Sequence, residues 1–373
     1  MKPIAINGRF LTQPVTGVQR HARELIFTLD AMLASGELQQ PDQPVELLVP
    51  AILRESFPLQ FFKLRKAGRS GGQLWEQLEL PMFCRGKVLL TPCGGAPLLH
   101  RDHVFILPDA AVFATPRSYS RAYGAWYRWH HRRAARLPGL TLITVSEFSR
   151  GELARYLSID PARIAVIPLG HEHALRPKPQ PEILARLQLT PGQYLLAVGS
   201  ANPNKNFGGL LQAFRILKQQ HPETASHLQL VIAGRADTRI YGTDHLQQQG
   251  IIQTGYITDG ELRALYESAA CFVFPSLYEG FGLPLLEAMA LGCPIAASNA
   301  ASLPALGGEA AVYFNPHSPL EMAQAIIRIV ADPMLRNALS DKETERYRQF
   351  CWRETARQTW PILMHSAQEP PAP

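Results

Sequence analysis

In the second half of the chain, short apolar runs alternate with longer stretches whose apolar positions recur at helical spacing. "YLLAVG" (194–199), "LQLVIAG" (228–234), "CFVFPS" (271–276) and "CPIAAS" (293–298) read as buried strands. Between them, "NFGGLLQAFRIL" places Phe207, Leu210, Leu211, Phe214 and Leu217 along one helix face. "DGELRALYESAA" opens with the acidic residues that a helix's first turn favours, and "LPLLEAMALG" reads as a helix closed by Gly292. Strand, helix and strand repeated in this way predict a parallel sheet with helices on both faces.

The first half alternates less regularly. "PIAIN", "VELLVP", "KVLLTP", "HVFILPD", "LTLITVS" and "IAVIPLG" are strand candidates; "VQRHARELIFTLDAML" and "SEFSRGELARYL" are helix candidates, the second with Ser146 as N-cap. The proline-rich polar stretch "HEHALRPKPQPEILARL" predicts a domain boundary near 171–185. The expected architecture is α/β: two Rossmann-like, doubly wound domains, 1–175 and 185–351, facing across a cleft, with ligand outside the carboxyl ends of the strands. The terminal "QEPPAP" is expected to fray.

Composition narrows the class. A chain of 373 residues, 46% hydrophobic, holds two ordinary domains. No apolar run is long enough to span a bilayer, and "MKPIAINGRF" lacks the apolar core of a signal peptide. The five cysteines are scattered without metal-ligand spacing, so a reduced, cytoplasmic protein is expected. Charge is lopsided: residues 1–170 carry 21 Lys+Arg against 13 Asp+Glu, the remainder 16 against 18. The first half is therefore expected to meet something acidic: nucleic acid, an anionic membrane surface or a phosphorylated substrate.

"SLYEGFGLPLLEAMALGCPIAAS" carries the candidate chemistry. The glycines of "EGFG" let backbone approach a ligand closely, Pro284 suits a helix start, and a helix N-terminus attracts anions. Glu279 and Glu287 flank this anion site and can accept hydrogen bonds from hydroxyls. Two carboxylates would repel a lone phosphate, but they suit a ligand with both phosphates and hydroxyls, a sugar nucleotide. A capped helix with solvated glutamates is the alternative on spacing alone.

"EGFGLPLLE" resembles the E-x7-E motif of retaining glycosyltransferases of family 4, which have the GT-B fold. "LAVGSANPNKNFGGLLQAF", "GYITDGELRALYESAACFVFPS", "TVSEFSRGELARYLSIDPARIAVIPLG" and "TGVQRHAREL" resemble further segments of that family, in order along nearly the whole chain. The resemblance implies that Glu279 contacts donor-sugar hydroxyls and Glu287 the nucleotide ribose. Amides around Gly280, Phe281, Gly282 and Leu283 would hold the sugar and diphosphate. Lys205 would neutralise the leaving diphosphate, aided by Ser200 and Asn204, with Gly17 against it from the N-terminal domain. Gly234, Tyr256 and Ile257 would line the base pocket. Without this context Lys205 reads as an exposed lysine at a helix start. A lysine and a helix N-terminus at the leaving group stabilise the transition state more than the ground state. No metal or other cofactor is expected, and the sequence contains no Asp-x-Asp motif or His cluster to hold a metal.

Two positions depart from the family pattern. Many relatives carry an arginine shortly before the lysine, where this chain reads Ser200-Ala201-Asn202-Pro203-Asn204-Lys205. Many show His-Asp where this chain has Pro108-Asp109. Asp109 is the candidate acceptor-facing residue, as orienter or weak base, with a turn aspartate as the alternative. Of the other histidines, His21, His130 and His131 are left without a role; His171 and His173, near the interdomain linker, are expected to be solvated, with a place facing the cleft as the alternative. Cys293 is expected to be a small core residue.

"RSYSRAYGAWYRWHHRRAARLPG" (117–139) interleaves tyrosines and tryptophans with six arginines at near-helical spacing. It suits a membrane–water boundary, nucleic acid, or packing on the N-terminal sheet. The family context favours a peripheral membrane surface and no nucleic acid. By the same resemblance a C-terminal helix, 352–373, crosses back to the N-terminal domain. The expected activity is transfer of a hexose from a nucleotide sugar, GDP-mannose or GDP-rhamnose preferred, to a lipid-diphosphate-linked glycan of O-antigen or exopolysaccharide. A GT-B nucleotide-sugar epimerase and a non-catalytic nucleotide-sugar-binding subunit are the alternatives.

Overall fold

The computed structural model describes residues 1–53, 57–200, 202–234 and 250–368. The chain forms two compact units: one of Met1–Gly170 joined by the segment from Cys351 onward, the other of His171–Phe350. The division falls at the start of the expected boundary stretch.

The first unit is built on β1 (Ile4–Asn7), β2 (Glu46–Pro50), β3 (Lys63–Ala67), β4 (Val88–Thr91), β5 (His103–Ile106), β6 (Leu140–Thr144) and β7 (Ile164–Val166). Their order is 3-2-1-4-5-6-7, and every pair is parallel. The central strands read as unbroken apolar runs because helices cover both faces. Ile4 and Ile6 pack with Leu25 and Leu29 of the helix Gly17–Ala34 and Trp360 and Leu363 of the helix Trp352–Gln368; Ala5 and Leu89 face Trp75 and Leu80 on the other side. All six strands expected from sequence are present. The seventh, β3, reads "KLRKA" and lies at the sheet edge, where only its last residue is buried; with no apolar run it left no pattern. Residues 72–83 form a helical stretch that the sequence did not announce, with one π-helical turn over Trp75–Glu79. The last helix returns the chain to this unit, as the resemblance implied; of the expected 352–373, residues 369–373 lie outside those described.

The second unit repeats the plan. β8 (Tyr194–Val198), β9 (Gln229–Ala233), β10 (Ile251–Gly255), β11 (Cys271–Phe274), β12 (Ile295–Ser298) and β13 (Val312–Phe314) pair in the order 10-9-8-11-12-13, all parallel. The helices Phe207–Gln220 and Pro319–Ala331 bury Leu210, Phe214, Met322 and Ile326 against Leu195, Ala197 and Val273. β10 and β13 were not singled out in the sequence: β10 is half-buried along most of its length and β13 is three residues long. Strand order reverses between β8 and β11, and doubly wound sheets bind ligands outside the carboxyl ends of the strands at such a reversal.

Candidate active site

The loop after β8 and the loop after β11 hold Lys205 and Glu279, two of the residues singled out by sequence. Asn202 caps a short 3-10 turn, Pro203–Lys205, by accepting from the Asn204 amide at 2.9 Å. Asn206 follows at φ +52°, and its side-chain Nδ2 donates to the carbonyls of Pro275 and Pro316. The Leu277 amide donates to the Asn204 carbonyl at 2.8 Å, tying the two loops together. Lys205 Nζ is thereby placed 2.6 Å from Glu279 Oε1 and 5.5 Å from the centroid of the Phe274 ring. Ser302 Oγ donates to the carbonyls of Glu279 and Phe281, both at 2.9 Å, and so fixes the loop carrying the carboxylate.

The helix Leu283–Ala290 starts directly from this loop, with Gly282 as N-cap and Pro284 as its second residue. Gly282 stands at φ +105°, and a Cβ there would lie 2.6 Å from Leu303 Cδ2, so both backbone conformation and space require glycine. The helix's first turn presents backbone N–H groups and the positive end of its dipole toward the loop. One turn in, Glu287 is held at both oxygens: His173 Nε2 lies 2.9 Å from Oε1, and Tyr266 Oη donates to Oε2 at 3.3 Å. Burial, with Glu287 beside it, keeps the Tyr266 phenol protonated well above its ordinary range, so it remains a donor. The site thus combines an ion-paired lysine, a helix N-terminus and two oriented carboxylates, a set suited to a ligand with anionic and hydroxyl groups.

Residues 192–332 match the family described as "Glycosyl transferases group 1". Over 375 aligned residues, 93% of this chain and 95% of the relative, the chain is 33% identical to "O-antigen chain mannosyltransferase B" of Escherichia coli. The chain belongs to the group 1 glycosyltransferases. This glycosyltransferase is also 32% identical over 280 residues to an "MMP alpha-(1->4)-mannosyltransferase" of Mycolicibacterium hassiacum, covering 71% of this chain and 64% of that one. Its fold is GT-B: it matches sucrose-phosphate synthase from Thermosynechococcus elongatus with a TM-score of 0.73 at 20% identity, over 98% of this chain and 99% of that one.

The other expected site residues of this glycosyltransferase are dispersed. Ser200 is exposed beside the Lys205 turn, and Asn204 is buried within that turn; Ala201 lies outside the described residues. Gly234 follows β9 at φ +126°, and a Cβ there would lie 2.3 Å from the Gly199 carbonyl oxygen, so the backbone just past β9 touches the backbone just past β8. Tyr256 is exposed and Ile257 half-buried in the loop after β10. Gly280 and Phe281 are buried beside Glu279. In the first unit, Gly17 opens its helix exposed, and a Cβ there would meet nothing within 4 Å, so no local packing demands the glycine. Asp109 Oδ1 accepts from the Ala111 amide at 2.8 Å, the geometry of the turn aspartate weighed as its alternative.

The expectation that His171 and His173 are solvated is overturned. Both are buried, His171 Nδ1 lying 2.5 Å from the Phe350 carbonyl and His173 against Glu287. His173 and Tyr266 were missed as site residues because each meets Glu287 only through the fold. His21, His130 and His131 are also buried; desolvation lowers His21 to about 4 and His131 to about 3, so neither is charged near neutrality. Cys293 is buried, as expected.

One further cluster went unread. At the reversal of strand order in the first unit, between β1 and β4, Glu76 in the π-helical turn accepts from Asn7 Nδ2 at 2.9 Å, from the Gly95 amide at 3.1 Å and from Arg9. Burial pushes this carboxyl up to about 7 in spite of Arg9. Among the described residues no group of three or more His, Cys, Asp and Glu side chains is arranged to hold a metal ion.

Proposed function

We propose that the chain transfers a mannosyl or deoxymannosyl group from a GDP-linked donor to a lipid-diphosphate-linked glycan, with retention at the anomeric carbon, in O-antigen or related polysaccharide assembly. The observation that carries this is the grouping of the Lys205–Glu279 pair and Glu287 about the start of one helix, where strand order reverses between β8 and β11. The mannosyltransferase relatives favour the sugar.

The chemistry follows from where charge develops. The bond from the anomeric carbon to the diphosphate oxygen breaks, and negative charge accumulates on the leaving phosphates. Lys205 and the amides from Gly280 to Leu283 would meet that charge in fixed positions. Glu279 would accept from sugar hydroxyls and Glu287 from the ribose. The departing phosphate oxygen takes the proton of the acceptor hydroxyl as the acceptor oxygen bonds to the anomeric carbon on the same face, giving glycoside and nucleoside diphosphate. Ser200 and Asn204 are proposed beside the phosphates, Gly234, Tyr256 and Ile257 at the base, and Gly17 and Asp109 toward the diphosphate and the acceptor hydroxyl. With lysine and helix dipole supplying the positive charge, no metal or other cofactor has a role in this scheme. A thermal-shift panel of GDP-, UDP- and ADP-sugars tests the donor, since a ligand of the folded state raises the melting temperature. Stabilisation by UDP-sugars alone would overturn the GDP assignment. Conversion of donor without acceptor would favour the epimerase.

A peripheral membrane surface for the first unit is also proposed. The helix Arg121–Ala134 turns His130 and His131 inward but leaves Tyr123, Trp126 and Trp129 exposed, and 117–139 holds six arginines and no acidic residue. Beside it the stretch 72–83 exposes Leu74, Leu78 and Met82, at 58%, 53% and 62%, four residues apart. Gln73 Nε2 donates to Tyr127 Oη at 2.7 Å, and Gln77 Nε2 lies 3.3 Å from His130 Nε2, so the two elements adjoin. Apolar side chains interleaved with arginine suit an anionic bilayer surface. No helix among the described residues is long and apolar enough to cross a membrane.

A further inference from the structure

We infer that His173 is a positioning residue for the nucleotide ribose, acting through Glu287. This rests on the assignment of Glu287 to the ribose. His173 belongs to the short helix Glu172–Leu175, and the residue is 5% exposed. Its Nε2 lies 2.9 Å from Glu287 Oε1, across 114 positions of sequence. A carboxylate can only accept, so His173 donates from Nε2. Tyr266 Oη donates to the other oxygen at 3.3 Å.

The two donors come from two different elements, one at each oxygen, and leave a lone pair on each oxygen for a pair of vicinal hydroxyls; the Tyr266 hydroxyl is shared with the Pro284 carbonyl, also at 3.3 Å, so the shorter His173 contact does most to orient the carboxylate. The Glu287 side chain is 14% exposed, so its charge is poorly solvated and depends on these donors. A ribose offers two adjacent hydroxyls to such an acceptor; a deoxy sugar does not. His173 therefore contributes to affinity only when the ribose hydroxyls are there to be bound, and Tyr266 alone cannot hold the carboxylate plane.

Binding of GDP and UDP, and of their 2′,3′-dideoxy counterparts, is measured by calorimetry on wild type, His173→Ala, His173→Gln and Glu287→Ala. In wild type the ribonucleotide is expected to bind better than its dideoxy form. His173→Ala is expected to lose about tenfold on the ribonucleotide, in the range for a hydrogen bond to a charged group, and little on the dideoxy form. His173→Gln, which keeps a donor near the Nε2 position, is expected to recover most of the loss. Equal losses on both nucleotides, or an unchanged affinity in His173→Ala, would overturn the proposal. If Glu287→Ala keeps the preference for ribose, the ribose assignment itself falls and the proposal with it. If Glu287→Ala abolishes the preference and His173→Ala does not, only the role of His173 falls.

Discussion

Lys205 Nζ and Glu279 Oε1 lie 2.6 Å apart, so the cation proposed for the leaving phosphates is neutralised by the carboxylate proposed for the sugar. Donor binding would exchange this pair: phosphate replaces the carboxylate at Lys205, and sugar hydroxyls replace the lysine at Glu279. Each partner holds the other in place until the ligand arrives, and their attraction offsets part of the desolvation cost of each charge.

Lys205→Ala is expected to lower kcat by about 10²-fold, the scale seen when one charge-stabilising donor is removed. Its melting temperature should stay within a few degrees of wild type, because the pair is part-exposed and partly screened. Steady-state kinetics with the donor identified by the nucleotide panel, alongside a melt, checks both; a rate near wild type would remove Lys205 from the chemistry.

Gly282→Ala is expected to cost about 1–3 kcal/mol and to weaken donor binding. The added Cβ meets Leu303 and the φ of +105° is strained for alanine, so the loop before the helix Leu283–Ala290 must shift. Denaturant unfolding and nucleotide titration are the measurements.

Stability should form a dome with pH. Burial raises Glu343 from 4.5 to about 9, and neither carboxyl oxygen has a hydrogen-bond partner. The folded chain keeps this proton where the unfolded chain has lost it; the stabilisation is complete below about 4.5 and is lost as pH rises through about 9. His21 and His131 act in the opposite sense: lowered from 6.5 to about 4 and about 3, they favour the fold above 6.5, and that contribution is lost as pH falls through those values. Glu343→Met is expected to flatten the alkaline side and add on the order of 2 kcal/mol at pH 8. Melting curves at several pH values would show an unchanged alkaline slope if Glu343 were ionised in the fold.

Wild type is expected to float with phosphatidylglycerol-containing vesicles and to dissociate at high salt. Leu74→Ser with Leu78→Ser, and separately Arg132→Glu with Arg133→Glu, should each weaken binding about tenfold. Undiminished flotation of both pairs would remove this surface from the proposal.

Chelation should leave turnover unchanged if lysine and helix dipole carry the phosphate charge. Loss of activity in EDTA, restored by a divalent cation, would overturn the metal-free scheme.

Much of the second unit was legible because its strands are buried on both faces and its loops carry glycines with a steric reason to be there. The grouping of Lys205 with Glu279 was legible only through resemblance, since 74 positions separate them and nothing local links one to the other. What escaped lacked periodic signal. β3 is a charged edge strand, and the π-helical turn at Trp75–Glu79 shifts the helical repeat. His173 looks like a polar residue in a proline-rich connection, and only the packing of the helix Leu283–Ala290 reveals what it touches.

The second unit interrupts the first in the chain, and this has a consequence for biosynthesis. Until Trp352, Trp360 and Leu363 leave the ribosome, the greasy side of β1 and β4 and the ring of His21 lack their cover. The inserted unit, continuous in sequence, can mature while the first still waits. A nascent chain stopped near Phe350 would therefore carry one finished half and one sticky half, and would be the species most dependent on chaperones.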